Sequence, residues 1–400
     1  MAQPAGDTLR IEIHDDLSAV EPAAWDGLDH GGSPFLRHAF LHGLERGDCL
    51  LPWGWQPRHL LLYEHERLVA ACPLYLKTNS YGEFVFDWNW AEFWQRNGRD
   101  YYPKLASTVP YTPAAGPRLL TARDHPRPER LRAMLAEGGR RLADELGCSG
   151  MHWLFTCPRE TRELDQQGMA LRLGCQYHWH NDGYTDFEDF LSRLSSKKRK
   201  NIRRERRKAR EHGLRIERLH GAAIEERHWD AFHRFYLRTF TEKWGYPTLS
   251  RRFFSLLSQE MSESLLLVMA FDGERPVAAA LDLIGEDTLY GRYWGCAEHY
   301  DLLHFEVSYY QGIEFAIEHG LRRFEPGAQG EHKIARGFLP TPTWSAHWIR
   351  DAEMRPLIER FCRHERQMMI DECRALYDLS PFRSDALPAT QRPETLSLTP

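Results

Sequence analysis

The order of patterns between Leu265 and Glu325 narrows the fold most. Leu265 to Phe271, Val277 to Ile284 and Thr288 to Gly295 read as three strands, joined at Asp272-Gly273 and at Gly285-Glu286-Asp287. His304 to His319 then reads as an amphipathic helix stopped by Gly320, and Leu321 to Glu325 as one more short strand. The order is β-α-β. In open α/β sheets ligands sit outside the carboxyl ends of strands, which is where the next segment begins.

That segment, Glu325-Pro-Gly-Ala-Gln-Gly-Glu-His-Lys333, continues through Arg336, Gly337 and Phe338. It lacks an apolar repeat at helix or strand spacing and reads as a loop. Polar loops between well-patterned elements are more often sites than connections, because a flexible backbone lets several side chains converge. Gln329, Glu331, His332 and Lys333 offer an amide, a base, a group titrating near neutrality and a cation. That set suits transfer of an acyl group to an amine: a carboxylate or imidazole takes the proton, and an ammonium or backbone N–H holds the oxyanion. No Ser or Cys lies in the loop, so direct attack on a thioester or ester is expected rather than an acyl-enzyme.

Earlier in the chain, strands are expected at Leu9 to Ile13, His59 to Tyr63, Leu68 to Leu76 and Glu83 to Trp90, where Phe84, Phe86, Trp88 and Trp90 would share one face. Residues 81 to 102 carry nine aromatics, read either as core or as a groove for a sugar or peptide. Asp87, Trp88, Tyr101, Tyr102 and Lys104 are its candidate acceptor-binding members. Helices are expected at Glu129 to Leu146 and Arg159 to Leu173, with strands at Met151 to Thr156 and Cys175 to His180. His178 and His180 face one way on the last of these, but no third ligand stands in register, so no metal site is expected. Thr185-x-x-Glu188 reads as a capping box that restarts the pattern. This gives a first domain over 1–184, a second over 185–379, and a disordered Pro/Ser/Thr-rich tail over 380–400. The second domain repeats the first one's order of elements.

The net charge of −5 hides a strong asymmetry, since Lys197 to Arg210 holds ten Lys/Arg and one acid, a local +9. Lys197, Lys198, Arg199, Lys200 and Arg203 crowd the start of a helix expected from Ser195-Ser196 to Gly213. Each such cation opposes the helix dipole at a cost of roughly 0.3 to 1 kcal/mol. An anion there would reverse the sign, so nucleotide phosphates, coenzyme A or tRNA fit, and a solvated basic helix fits equally. Arg292-Tyr-Trp-Gly-Cys-Ala297 matches the loose R/Q-x-x-G-x-G/A pattern that holds coenzyme A pyrophosphate in GNAT acyltransferases, which nominates Arg292 and Gly295 for the donor and Tyr293, Trp294 and Arg336 for the acceptor. His347-x-x-x-Asp351 matches an acyltransferase pattern short enough to be accidental. Eight cysteines without C-x-x-C spacing indicate neither a zinc cage nor a disulfide framework. No stretch approaches 18 uninterrupted apolar residues, and the expected location is cytoplasmic, without integral membrane association.

The strings SYGEFVFDW (80–88), YYPKL (101–105), LSSKKRKNIRRER (194–206), GRYWGC (291–296) and FEPGAQGEHKIARGF (324–338) together resemble the Fem-like (FemAB-like) N-acyltransferases, labelled peptidoglycan biosynthesis/recognition proteins. The resemblance implies an α/β fold of two tandem GNAT-like domains, each a mixed, partly antiparallel sheet flanked by helices. It also implies kinship with ligases that move amino acids from aminoacyl-tRNA to a peptidoglycan precursor, and places Glu325, Gly327 and Lys333 at the transfer site. Acyl-CoA or aminoacyl-tRNA is the implied donor and a small-molecule or peptide amine the acceptor. The chain lacks the ligases' long helical-hairpin arm. A non-catalytic nucleic-acid or cell-wall-precursor binding module built on 197–210 is the alternative.

Overall fold

The computed structural model describes residues 9–242, 245–328 and 330–387. They divide into two compact units, residues 9–174 with Thr343–Met369, and Cys175–Pro342 with residues 370–387. This differs from a cut at 184/185: the chain enters the second unit inside one strand, leaves it inside another, and gives residues 343–369 back to the first.

Strands β1 (Leu9–His14), β2 (Trp55–Pro57), β3 (His59–Glu64), β4 (Arg67–Cys72), β5 (Tyr75–Lys77), β6 (Lys104–Ser107), β7 (Leu120–Thr121) and β8 (Gly150–Thr156) lie in the first unit. β9 (Ala170–His180) leads into the second, which holds β10 (Arg215–His220), β11 (Leu265–Asp272), β12 (Arg275–Ile284), β13 (Thr288–Cys296) and β14 (Arg323–Glu325). β15 (Leu339–Ile349) carries the chain back.

In the first unit β1, β3, β4 and β7 form an antiparallel sheet. A second sheet runs β2-β5-β6-β8, with β6 and β8 parallel and the end of β15 antiparallel to β8. The helix Pro128–Glu145 supplies the crossover that a parallel pair requires, and buries Leu131, Leu135 and Leu142. In the second unit β10 to β13 form an antiparallel meander, β13 and β14 are parallel, and β9 pairs antiparallel with β14. Leu265–Phe271 is buried throughout, the continuous apolar run of a strand covered on both faces. Each unit thus has strands that pair antiparallel and then one helical crossover to a parallel neighbour. Both units are therefore α/β, each with a mixed, partly antiparallel sheet flanked by helices.

Three local readings change. Residues 83–90 do not form a strand: Trp88–Arg96 is a helix, and its i, i+4 pair Trp90 and Trp94 is buried while Phe84, Phe86 and Trp88 stand exposed. The helix Phe187–Arg193 is capped by Asp186, which accepts from the Asp189 amide, rather than by Thr185. Of the expected tail, Phe382 is buried and Ser195 donates to the Pro381 carbonyl at 2.9 Å, so 381–386 pack on the second unit; 388–400 lie outside the described residues.

Candidate active site

The parallel pairing of β13 and β14 covers three residue pairs, Thr288 with Arg323, Leu289 with Phe324 and Tyr290 with Glu325, and then stops. Two features end it. Pro326 has no N–H to donate. On the other strand Leu281 of β12 faces Tyr293 while Asp282 faces Gly291, which leaves Arg292 as the extra residue of a bulge that bends β13. Gly291 lets the chain leave β14 closely, since a Cβ there would stand 3.1 Å from Pro326 Cα and 3.2 Å from Asp282 Oδ1.

Glu325, the last residue of β14, is buried at 4% exposure. Its Oε1 lies 3.1 Å from Arg323 Nε and 3.9 Å from His178 Nδ1, yet neither oxygen accepts a hydrogen bond from the described residues. The Arg323 contact is close enough for charge attraction but misaligned for a bond. Burial pushes the carboxyl above its ordinary range, Arg323 opposes this, and Asp287 adds to it. His178 is held well below the usual imidazole range by burial, with Arg323, His180 and Lys333 adding their charge. Asp282, buried on β12 two strands away, is pushed well up by burial alone. Lys333, 3% exposed, donates from Nζ to the Gly327 carbonyl at 2.8 Å, and desolvation brings its ammonium down to about 7. A carboxyl shifted up and an ammonium shifted down are what an acid–base site needs near neutrality.

The segment after β14 is less loop-like than its sequence. Glu331–Arg336 is a 3₁₀ helix, where successive side chains point about 120° apart. Lys333 and Arg336, three apart, both turn inward, while Glu331 and His332 are exposed. His332 Nε2 lies 3.0 Å from Tyr309 OH. Arg336 donates to both oxygens of Glu205, at 3.1 and 2.9 Å, and stands 3.4 Å from the Phe305 ring centroid. The expected convergence of the whole set on one point is therefore corrected: Glu325 and Lys333 face inward, Glu331 and His332 outward. Gln329 lies outside the described residues.

Arg292 and Gly295 sit inside β13, not in a turn after it. A Cβ on Gly295 would fall 2.5 Å from the Phe235 carbonyl oxygen, so this glycine admits the helix Glu226–Glu242. Arg292 lies over the Tyr293 ring at 5.3 Å and is one of the charges acting on Glu325. Tyr293 packs edge-on to Tyr236, and Trp294 against His304. The basic run does form a helix, Ser196–Glu211. Lys197, Lys200 and Arg203 are exposed, Lys198 and Arg199 half-buried, and Arg203 pairs with Glu188. Two members turn inward instead: Arg206 binds Glu306 and Glu314, and Glu205 binds Arg336 and Tyr310.

In the first unit Asp87, Tyr101 and Lys104 meet in the interior. Lys104 Nζ donates to Ser80 Oγ at 2.8 Å, to Glu83 Oε2 at 2.7 Å and to Asp87, and Tyr101 donates to Asp87 at 2.5 Å. All are buried, so these three face one another instead of an acceptor. Tyr102 is half-buried with its OH 2.8 Å from Ser80 Oγ, and Trp88 is exposed. His347 of the H-x-x-x-D match is buried with Nδ1 2.8 Å from His152 Nδ1.

The model of one family, FemAB-like, described as peptidoglycan biosynthesis/recognition, matches residues 16–384. No curated protein sequence matches this chain. Among solved structures, a conserved protein of unknown function from Bacteroides thetaiotaomicron aligns with a TM-score of 0.50 at 11% identity, over 84% of this chain and 99% of that one. FemX aligns at 0.48 and 11%, over 79% and 93%, and a tandem GNAT protein from the clavulanic acid biosynthesis pathway at 0.43 and 11%, over 85% and 98%. At such identities the likeness is one of fold.

Proposed function

The chain belongs to the FemAB-like family of peptidoglycan biosynthesis/recognition, matched over residues 16–384, and from that premise we propose an N-acyltransferase that moves an acyl or aminoacyl group from a CoA thioester or an aminoacyl-tRNA to an amine of a peptidoglycan precursor. The observation that carries this reading is Glu325: a buried carboxyl with no hydrogen bond from the described residues, at the carboxyl end of the parallel pair. Such a group is expensive to keep unless it has chemistry to do.

In the proposed reaction the amine nitrogen attacks the acyl carbon and Glu325 accepts its proton. Lys333 in its ammonium form faces the oxyanion. Collapse expels the thiolate of CoA or the ribose oxygen of tRNA, and Glu325 returns the proton to it. The cations Lys197, Lys198, Arg199 and Lys200 at the start of the basic helix are proposed to hold donor phosphates. Glu325→Gln should lower the transfer rate at least ~100-fold, the lower range for a lost general base. The assay uses acetyl-CoA and aminoacyl-tRNA in turn as donor and a UDP-linked muropeptide as acceptor, with thermal unfolding as the control for folding. A folded Glu325→Gln protein with an unchanged rate refutes the assignment. A binding module without catalysis would instead show salt-dependent nucleic-acid binding and no transfer with either donor.

A further inference from the structure

Thirteen large apolar side chains stand exposed among the described residues, and six of them fall in two short segments: Phe84, Phe86 and Trp88, and Leu357, Phe361 and Met368 on the helix Met354–Tyr377. Single exposed apolar residues need no explanation, but a cluster does. The two segments meet. Phe86 and Trp88 rings are 5.3 Å apart, and Phe361 lies 6.2 Å from Trp90. Arg172 joins them, donating to the Phe86 carbonyl at 2.8 Å and to both oxygens of Glu365 at 2.7 and 2.8 Å.

The aromatics are held outward by what lies under them. Lys104 bonds Glu83 and Asp87, one residue before Phe84 and one after Phe86, and all three charged groups are buried. Phe84 has a left-handed backbone, φ 60°. Meanwhile Trp90 and Trp94 of the adjoining helix are hidden at 2% and 1% exposure, so the fold buries aromatics here where it can.

The charge of the helix beside the patch is positive on balance, with Arg355, Arg360, Arg363 and Arg366 against Glu359 and Glu365. Arg360 and Arg363 are exposed and form no ion pair with the described residues, while the nearby Glu365 is occupied by Arg172. A second copy of the same face would set arginine against arginine. A sugar would want flat rings with amide or carboxylate partners, and Leu357 and Met368 offer neither. Aromatic and aliphatic side chains flanked by unpaired arginines match the boundary between lipid headgroups and acyl chains. We propose that the first unit docks peripherally on an anionic lipid surface through this patch. No helix among the described residues is long and apolar enough to cross a membrane, which leaves surface docking as the mode.

The test is co-sedimentation of the full chain with vesicles of phosphatidylcholine alone and of phosphatidylcholine with phosphatidylglycerol in equal parts. The wild type should pellet with the anionic vesicles and release as salt rises. Arg360→Gln/Arg363→Gln should reduce that partition about thirty-fold, which is about 1 kcal/mol for each cation. Phe86→Ser/Trp88→Ser should abolish pelleting with the anionic vesicles, and Leu51→Ser, an exposed apolar residue outside the patch, should leave it unchanged. Thermal unfolding monitors folding of every variant. Wild type that stays in solution with anionic vesicles overturns the proposal, as does equal partition of folded wild type and arginine variant. A dimer by size exclusion that Phe86→Ser dissolves, without vesicle binding, assigns the face to a second copy and overturns it too.

Discussion

Lys104→Met is the sharpest perturbation the first unit offers, because one ammonium serves two carboxylates in a space that water does not reach. Lys104 has no exposed surface, and Glu83 and Asp87 have 2% and 3%. The three groups divide unequally. Burial pushes Asp87 up, but Lys104 and His152 more than offset this and hold it below the ordinary carboxylate range, whereas burial leaves Glu83 raised to about 7 despite its 2.7 Å contact with the same ammonium. One cation can neutralise one carboxylate, and the geometry favours Asp87, which also accepts from Tyr101.

Removing Lys104 strands a buried charge, and breaking such a pair costs about 3 to 5 kcal/mol. For a unit of this size each kcal/mol moves the melting temperature by roughly 2 to 4 °C, so a fall of about 6 to 20 °C is expected. The loss should also depend on pH, with a definite sign. Without Lys104 the folded-state carboxyl pKa values rise above their unfolded values, so the folded protein binds more protons as pH falls and regains stability. Urea denaturation of Lys104→Met at pH 8 and pH 5 should therefore show a deficit that narrows at the lower pH. Adding Asp87→Asn should recover part of it at pH 8. A deficit below about 1 kcal/mol, or one equal at both pH values and unmoved by Asp87→Asn, refutes the reasoning and makes the cluster a matter of packing.

Two further outcomes follow from the second unit. Gly295→Ala places a methyl group 2.5 Å from the Phe235 carbonyl, where backbone must move, and should lower stability by about 1 to 3 kcal/mol in urea denaturation; a neutral result would show that Glu226–Glu242 is not fixed against β13. The ammonium of Lys333, brought to about 7 by desolvation, is charged below that pH and neutral above it. If it stabilises an oxyanion, the rate of acyl transfer should fall as pH rises through about 7, and Lys333→Arg should remove that descending limb because a guanidinium stays charged; a limb that persists in the variant would exclude the role.

The elements legible from sequence are those whose pattern is strong by itself. The meander from Leu265 to Cys296 was readable because Leu265 to Phe271 is an unbroken apolar run and the turns carry Asp-Gly and Gly-Glu-Asp. Residues 84–90 misled because alternate aromatics satisfy a strand over so short a window, and only tertiary contacts decide that Trp90 pairs with Trp94 across one helical turn. The division into units was hidden for a related reason: β9 and β15 each begin in one unit and end in the other, and composition carries no mark of where a strand changes partners.

The site divides the same way. Glu325 and Lys333 could be nominated from sequence because a polar, glycine-punctuated segment follows a strand pattern. His178 and Arg323 were not, since the antiparallel pairing of β9 with β14, Arg323 opposite His180 and Phe324 opposite Trp179, is what brings His178 alongside Glu325. His178 and His180 did register as two histidines on one strand face, yet without a third ligand in register that pattern assigned them no role. The register sets a carboxyl raised by burial beside an imidazole held neutral first by burial, with Arg323, His180 and Lys333 adding to it. A neutral imidazole can accept a proton as well as donate one, and the carboxyl beside it leaves both oxygens open to the described residues. If Glu325 takes the amine proton, His178 is the nearest group through which that proton could be shared, and His178→Gln should then shift the acid limb of the pH–rate profile without the loss expected of Glu325→Gln; an acid limb left in place would confine His178 to packing beneath the carboxyl.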